Sequence, residues 1–201
     1  MAVITSIKQQ KGKQNRVNIY LDNKFGFGID LDNFVLFNLK LNQELEERKI
    51  EEIVKKAEFQ KTLDKLLRFA LVRLRSEKEI RDYLYRKKVP NMIWNDLFAK
   101  LKNLELIDDT KFAKWWIEIR QSFSPKSKRV LNNELQIKGI NKEIITEALK
   151  EIDIDEEKIA VDLLNKKRFE DDKKRFAYLV RKGFDFEIAK KAIRSYNSGH
   201  D

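Results

Sequence analysis

The pattern of apolar positions changes character once along the chain, close to residue 60. Before it, residues 3–9, 16–21 and 24–29 are short runs rich in β-branched and aromatic side chains, the composition of strands. Asp22-Asn23 between the last two is a hairpin turn pair, because both residues tolerate the left-handed backbone such a turn needs. Three short strands are marginal by themselves, so the reading requires a helix to cover them. Ile50, Ile53, Val54 and Ala57 recur at helical spacing and supply one. Residues 1–60 are therefore read as a small β-hairpin/helix cap carrying a three-stranded sheet.

From Thr62 onward the apolar period is helical, and it repeats. With Leu84, Leu135 and Leu179 taken as equivalent, Lys88, Gly139 and Gly183 stand four residues later, followed by Val89, Ile140 and Phe184. The match continues at Ile93, Ile144 and Ile188, then at Phe98, Leu149 and Ile193. Helix ends are marked by chemistry. Ser76 with Glu79 makes a capping box, Ser124-Pro125 reads as the start of the equivalent helix in the second unit, and Asn141 and Asp185 cap the third helices. Gly139 and Gly183 fall just past the second helices, where a left-handed residue closes a helix. Apolar stripes at Leu63, Leu66, Leu67, Ala70, Leu71 and Leu74, at Ile93, Trp94, Leu97, Phe98 and Leu101, and at Phe112, Trp116 and Ile119 are core. Trp115 turns away from the last stripe and is a candidate contact residue. The fold class is mainly α: a tandem array of three three-helix repeats over residues 61–107, 108–153 and 154–197, behind the cap, with a tail at 198–201.

Composition sharpens this picture. Charged residues make up 38% of the chain and mean hydropathy is −0.60, which suits several small cores in a row better than one large globule. There is no cysteine, which removes disulfides, thiolate metal sites and thiol nucleophiles. No long apolar run or signal core occurs, so a cytoplasmic protein without membrane attachment is expected. The net charge of +10 is uneven: residues 1–60 hold 10 basic and 9 acidic groups, residues 61–201 hold 33 and 24. Basic over acidic groups run 5 to 3 in residues 77–88, 4 to 1 in 125–138 and 5 to 2 in 171–182, so each second helix repeats a positive excess. Arg81, Lys87, Lys88, Lys128, Arg129, Arg175, Arg181 and Lys182 are the candidate basic stripe for a polyanionic partner.

Enzyme chemistry finds little to work with, and no cofactor or metal is expected. His200, the one histidine, stands in the polar tail. Gly26-Phe27-Gly28 lacks the third glycine of a dinucleotide loop. The pair Asp108-Asp109 is better placed to cap the helix of Phe112 and Trp116 than to hold magnesium. A helix-turn-helix reader acting on DNA directly is the alternative function. It fares poorly because the third helices begin with Glu143, Asp185 and Glu187, which phosphates repel.

Two stretches go beyond a generic helical repeat: residues 74–89, LRSEKEIRDYLYRKKV, and residues 104–116, LELIDDTKFAKWW, followed by KRVLNNELQIKGI at 128–140. In this order and spacing the chain resembles the RecX regulatory proteins over essentially its whole length. It departs from the family pattern at Glu105 and Lys88, where glycine is usual. The resemblance implies a protein that binds the RecA recombinase filament and limits its growth, recombinase and coprotease activities in recombination, DNA repair and the SOS response; a monomer is expected. Direct contact with single-stranded DNA stays open beside it.

Overall fold

The structure is a computed structural model that describes residues 1–10 and 15–198. These fall into two compact bodies. One comprises the chain up to Arg73 together with Leu84–Leu104; the other comprises Leu74–Tyr83 and everything from Glu105 onward. None of the described helices is long and apolar enough to cross a membrane.

In the first body, β1 (Ala2–Gln9), β2 (Arg16–Leu21) and β3 (Lys24–Asp30) form an antiparallel meander, and Asp22 and Asn23 make its hairpin turn with φ of 48° and 64°. A fourth strand, β4 (Glu44–Leu45), adds to the outer side of β1 and gives the order β3-β2-β1-β4. The three-stranded expectation missed it because two residues carry no alternation to read. Its position is set by bonds from distant chain, Ile4 N–H to Gln43 O at 2.9 Å and Asn42 N–H to Ile4 O at 2.9 Å. A short helix, α1 (Leu31–Leu36), capped by Asp30, was also not expected. The sheet's inner face, Ile4, Val17, Ile19, Phe27 and Ile29, closes on Ile53 and Ala57 of α2 (Glu47–Leu71). Val54, expected on that face, is exposed.

Helix α2 is a continuous element of 25 residues, so residue 60 lies within it rather than at a break. Leu63, Leu66 and Ala70 are buried as expected, whereas Leu71, read as core, is 69% exposed at the last residue of the helix. The second helix, α3 (Glu77–Arg86), is followed by a 3-10 turn at Asn91–Ile93 and by α4 (Trp94–Asn103), which buries Leu97, Phe98 and Leu101.

The second body contains α5 (Asp109–Phe123), α6 (Lys128–Ile137), α7 (Lys142–Glu151), α8 (Glu156–Asn165), α9 (Asp172–Arg181) and α10 (Phe186–Ser198). Phe112, Ala113, Ile117, Leu131, Leu135 and Ile145 form one core; Ala160, Leu164, Leu179, Phe184, Ala189 and Ala192 form a second. Ile159 packs against both. On α5 the fully buried positions are Phe112, Ala113 and Ile117; Ile119, placed in the core by spacing, is only half-buried. Trp115 does not point away: its ring lies 5.7 Å from that of Phe112 and packs on the first core.

All three second helices close in the same way. Val89, Ile140 and Phe184 N–H groups bond back to Leu84, Leu135 and Leu179 carbonyls at 3.1, 3.0 and 3.2 Å, with the preceding residue left-handed. At Gly139 and Gly183, φ is 80° and 90°, and an added Cβ would stand 2.6 Å from Lys78 Cβ or 2.7 Å from Ser127 Oγ. Lys88 holds the same conformation at φ 51°, and it is exposed. Glu105 is likewise left-handed, at φ 54°. The two departures from glycine thus both sit at left-handed backbone positions.

Helix starts required one correction. Ser124 ends α5, donating its N–H to Arg120 O, and the cap of α6 is Ser127, eight residues before Leu135 just as Ser76 is eight before Leu84. Ser127 Oγ accepts from Val130 N–H at 3.4 Å and donates to Lys182 O at 3.1 Å; Ser76 Oγ accepts from Glu79 N–H at 3.2 Å and donates to Lys138 O at 2.8 Å. Both serines are completely buried. Asn141 and Asp185 cap α7 and α10 as expected.

Ser127→Ala leaves the Val130 amide and the Lys182 carbonyl of that joint unanswered and is expected to lower stability by about 1–3 kcal/mol in urea unfolding, against about zero for Ser124→Ala. Lys88→Gly relieves a left-handed side chain and should raise stability by about 1 kcal/mol, while Gly139→Ala should cost about 2 kcal/mol or more.

Candidate polyanion-binding surface

The candidate cations of α9 do not share one side of that helix. At about 100° per residue, Arg175 lies roughly 40° from the direction of buried Leu179 and Arg181 roughly 160° away, so they leave α9 on different sides. Arg175 is held internally: its guanidinium contacts Asp172 at 2.5 Å and Asn197 at 3.3 Å and lies 4.8 Å from the Tyr196 ring. Arg81 pairs with Glu77 at 2.6 Å. Lys128 is half-buried, and its backbone N–H bonds to Glu156 at 2.9 Å. Arg129, Arg181 and Lys182 in the second body are exposed, as are Lys87 and Lys88 in the first.

Arg181 and Lys182 belong to a cluster the sequence reading did not assemble. The rings of Phe169 and Tyr178 are 5.0 Å apart, with Lys167 Nζ 5.7 Å from the first and 5.4 Å from the second. Lys182 Nζ and the Arg181 guanidinium lie 5.5 and 6.0 Å from the Tyr178 ring. Lys167, Arg168, Phe169, Lys174, Tyr178 and Arg181 line a shallow groove of about 330 Å³, whose one carboxylate, Glu170, is paired with Lys174. Cations drawn to aromatic faces with little counter-charge leave a local positive field that favours an anionic partner. The signal available in the sequence was the run Lys166-Lys167-Arg168 just before Phe169, which lies outside the second helices where the charge excess was counted.

Other cations serve the fold. Trp116 is flanked by Arg120 and Lys138, at 4.6 and 4.9 Å from its ring. Its indole N–H and the Arg120 Nε both donate to Glu134 Oε2 at 2.8 Å, and Lys138 reaches Glu79 at 2.7 Å. Lys111 and Lys114 hold their protons more tightly than an ordinary lysine, through hydrogen bonds to Glu105 and Glu151 respectively.

Asp108 and Asp109 are accounted for as caps. Asp108 accepts from the Thr110 and Lys111 N–H groups at 2.9 Å each, and Asp109 accepts from Glu77 N–H at 2.8 Å, capping α3 from another helix. Among the described residues no group of three His, Asp or Glu is placed to hold a metal ion. Glu143 and Asp185 take part in capping, and Glu187 pairs with Lys190 at 3.2 Å. His200 lies outside the described residues.

Residues 2–46 match the model of the regulatory protein RecX N-terminal domain, and residues 108–149 match that of the RecX second three-helix domain. The regulatory protein RecX of Bacillus licheniformis is 34% identical, over 100% of this chain and 80% of the relative. That of Listeria monocytogenes is 31% identical over 98% of this chain and 77% of its own length. A crystal structure of regulatory protein RecX superposes with a TM-score of 0.69 at 26% identity, covering 94% of this chain and 98% of that one. Another, of RecX from Lactobacillus salivarius, shares the fold at a TM-score of 0.61.

Replacing Asp108 and Asp109 together by alanine removes caps from two helices and should lower stability by about 2 kcal/mol. In a magnesium-dependent DNA cleavage assay the purified protein and this variant should be equally silent.

Proposed function

The chain belongs to the RecX family of regulatory proteins, a non-enzymatic family, and from that premise we propose that it binds the RecA recombinase filament on single-stranded DNA. Binding negatively modulates filament growth and the recombinase and coprotease activities, within recombination, DNA repair and the SOS response. It acts as a monomer in the cytoplasm, organised as a cap over residues 1–60 and repeats over 61–107, 108–153 and 154–197.

The observation that carries the reading beyond family membership is the exposed positive charge with little local counter-charge: Arg181, Lys182 and Lys167 around Tyr178, Arg129 on α6, and Lys87 and Lys88 after α3. Such groups suit acidic recombinase surface and phosphate alike, and several weak contacts made together give a tight complex. Arg81, Lys128 and Arg175 keep a place in the basic surface, but their internal bonds make them weaker contributors. A sequence-reading role is less well supported, since carboxylates stand at the starts of α7 and α10, where bases would have to be read.

The test is co-sedimentation with RecA filaments on single-stranded DNA, beside the same DNA bare. Changing Lys167, Arg181 and Lys182 to glutamine should weaken filament binding about tenfold or more at low salt, with unfolding stability within about 0.5 kcal/mol of the parent, because exposed charges add little to folding. Raising salt should reproduce the loss in the parent. Undiminished filament binding by the folded variant would remove this surface from the mechanism. Loss confined to one duplex sequence would favour the DNA reader.

A further inference from the structure

The repeat supplies its own control for what the fold requires at each position. Three residues before the buried leucine of the second helix stand Arg81, Asn132 and Phe176; two residues after Val89, Ile140 and Phe184 stand Asn91, Lys142 and Phe186. Both positions are polar in the first two units, so neither needs an apolar side chain to build a unit. In the third unit both are phenylalanine. Their rings stack at 5.6 Å with an interplanar angle of 25°, and Phe186, the first residue of α10, is 61% exposed.

Phe176, on which Phe186 stacks, forms with Ile193 the floor of a hollow of about 420 Å³ whose rim carries Lys173, Lys190 and Arg194. Among the described residues Lys173 and Arg194 have no ion-pair partner, and Lys190 has only the exposed Glu187. The one carboxylate on the rim, Asp172, is taken up by Arg175 and Asn197, the latter at 3.1 Å. Among the described residues no cation covers either phenylalanine ring, unlike the rings of Phe169 and Tyr178. The hollow thus has an apolar floor under a positive rim.

We propose that this face of the third unit docks an acidic protein segment that presents a leucine or aromatic side chain between aspartates or glutamates. The apolar side chain fills the hollow and covers the exposed ring of Phe186, as aromatic anchors do at the centre of protein interfaces. The flanking carboxylates meet Lys173 and Arg194, which steers and orients the segment. A nucleic acid fits less well, because phosphates would gain the rim and leave the floor unfilled. The proposal deepens the proposed function, resting on it only in taking the segment to be part of the recombinase filament.

The test uses the full chain and its Phe186→Asn and Phe186→Leu variants; asparagine is the residue the first unit carries at that position. A fluorescein-labelled twelve-residue peptide with Leu and Phe among Asp and Glu is titrated. Beside it run a peptide with serine for the apolar pair, one with lysine for the acids, and an oligo-dT strand. The acidic apolar peptide should bind best, lose about tenfold or more with Phe186→Asn and retain most binding with Phe186→Leu, while oligo-dT binding and urea stability stay unchanged. Filament binding should fall with Phe186→Asn alone. Equal peptide binding by parent and Phe186→Asn, or oligo-dT binding that falls with Phe186, overturns the proposal. Filament binding that survives in Phe186→Asn, with no peptide bound, removes this surface and leaves the proposed function standing. Peptide binding that depends on Phe186 in a protein that never binds filaments does the reverse.

Discussion

A buried serine hydroxyl that touches two helices at once is the constraint on which the second body depends. Ser76 and Ser127 each cap their own helix and donate to the terminal carbonyl of another second helix, Lys138 O or Lys182 O. The next amide along is also claimed from outside its own unit, Glu77 N–H by Asp109 and Lys128 N–H by Glu156. The first amide of α3 and that of α6 are therefore satisfied only when the following unit is present and in register. Dipoles meeting head to tail at the joint favour the same arrangement. Unit and neighbour are coupled by backbone polar groups that would be costly to bury alone.

Other features follow from that closeness. A helix start lying against a helix end leaves no room for a Cβ at Gly139 or Gly183, which explains glycine there twice over, by angle and by space. Position 88 is exposed by contrast, and it carries lysine in the same left-handed conformation. Charge is sorted by the same geometry. Lys138 sits at the joint and is absorbed by Glu79 and the Trp116 ring, whereas Arg181 and Lys182 remain exposed beside Tyr178.

The third unit differs from its neighbours in chemistry rather than in fold. Asp171 replaces serine as the cap of α9, phenylalanines occupy two positions that are polar elsewhere, and the preceding loop brings Lys167 and Arg168 beside Phe169. One face offers cations over aromatic rings and the other an apolar hollow under a positive rim. Both proposed contacts draw on α9, so when made together they would be held at high effective concentration.

The sequence by itself determined the mainly helical class, the three-fold repeat, the hairpin at Asp22-Asn23, the glycine closures and the capping role of Asp108. These are local properties, carried by period, turn chemistry and the few residues that tolerate a left-handed backbone. Tertiary structure alone decided the rest, because non-local partners set it. Strand β4 exists through bonds to β1; Ser127 rather than Ser124 became the cap because its hydroxyl meets Lys182 O; Trp115 turned inward onto Phe112. Counting charges found the basic helices but not which charges are free. Freedom depends on whether a carboxylate or ring lies within reach, as it does for Arg175 and does not for Arg129, and that is a matter of packing rather than of order along the chain.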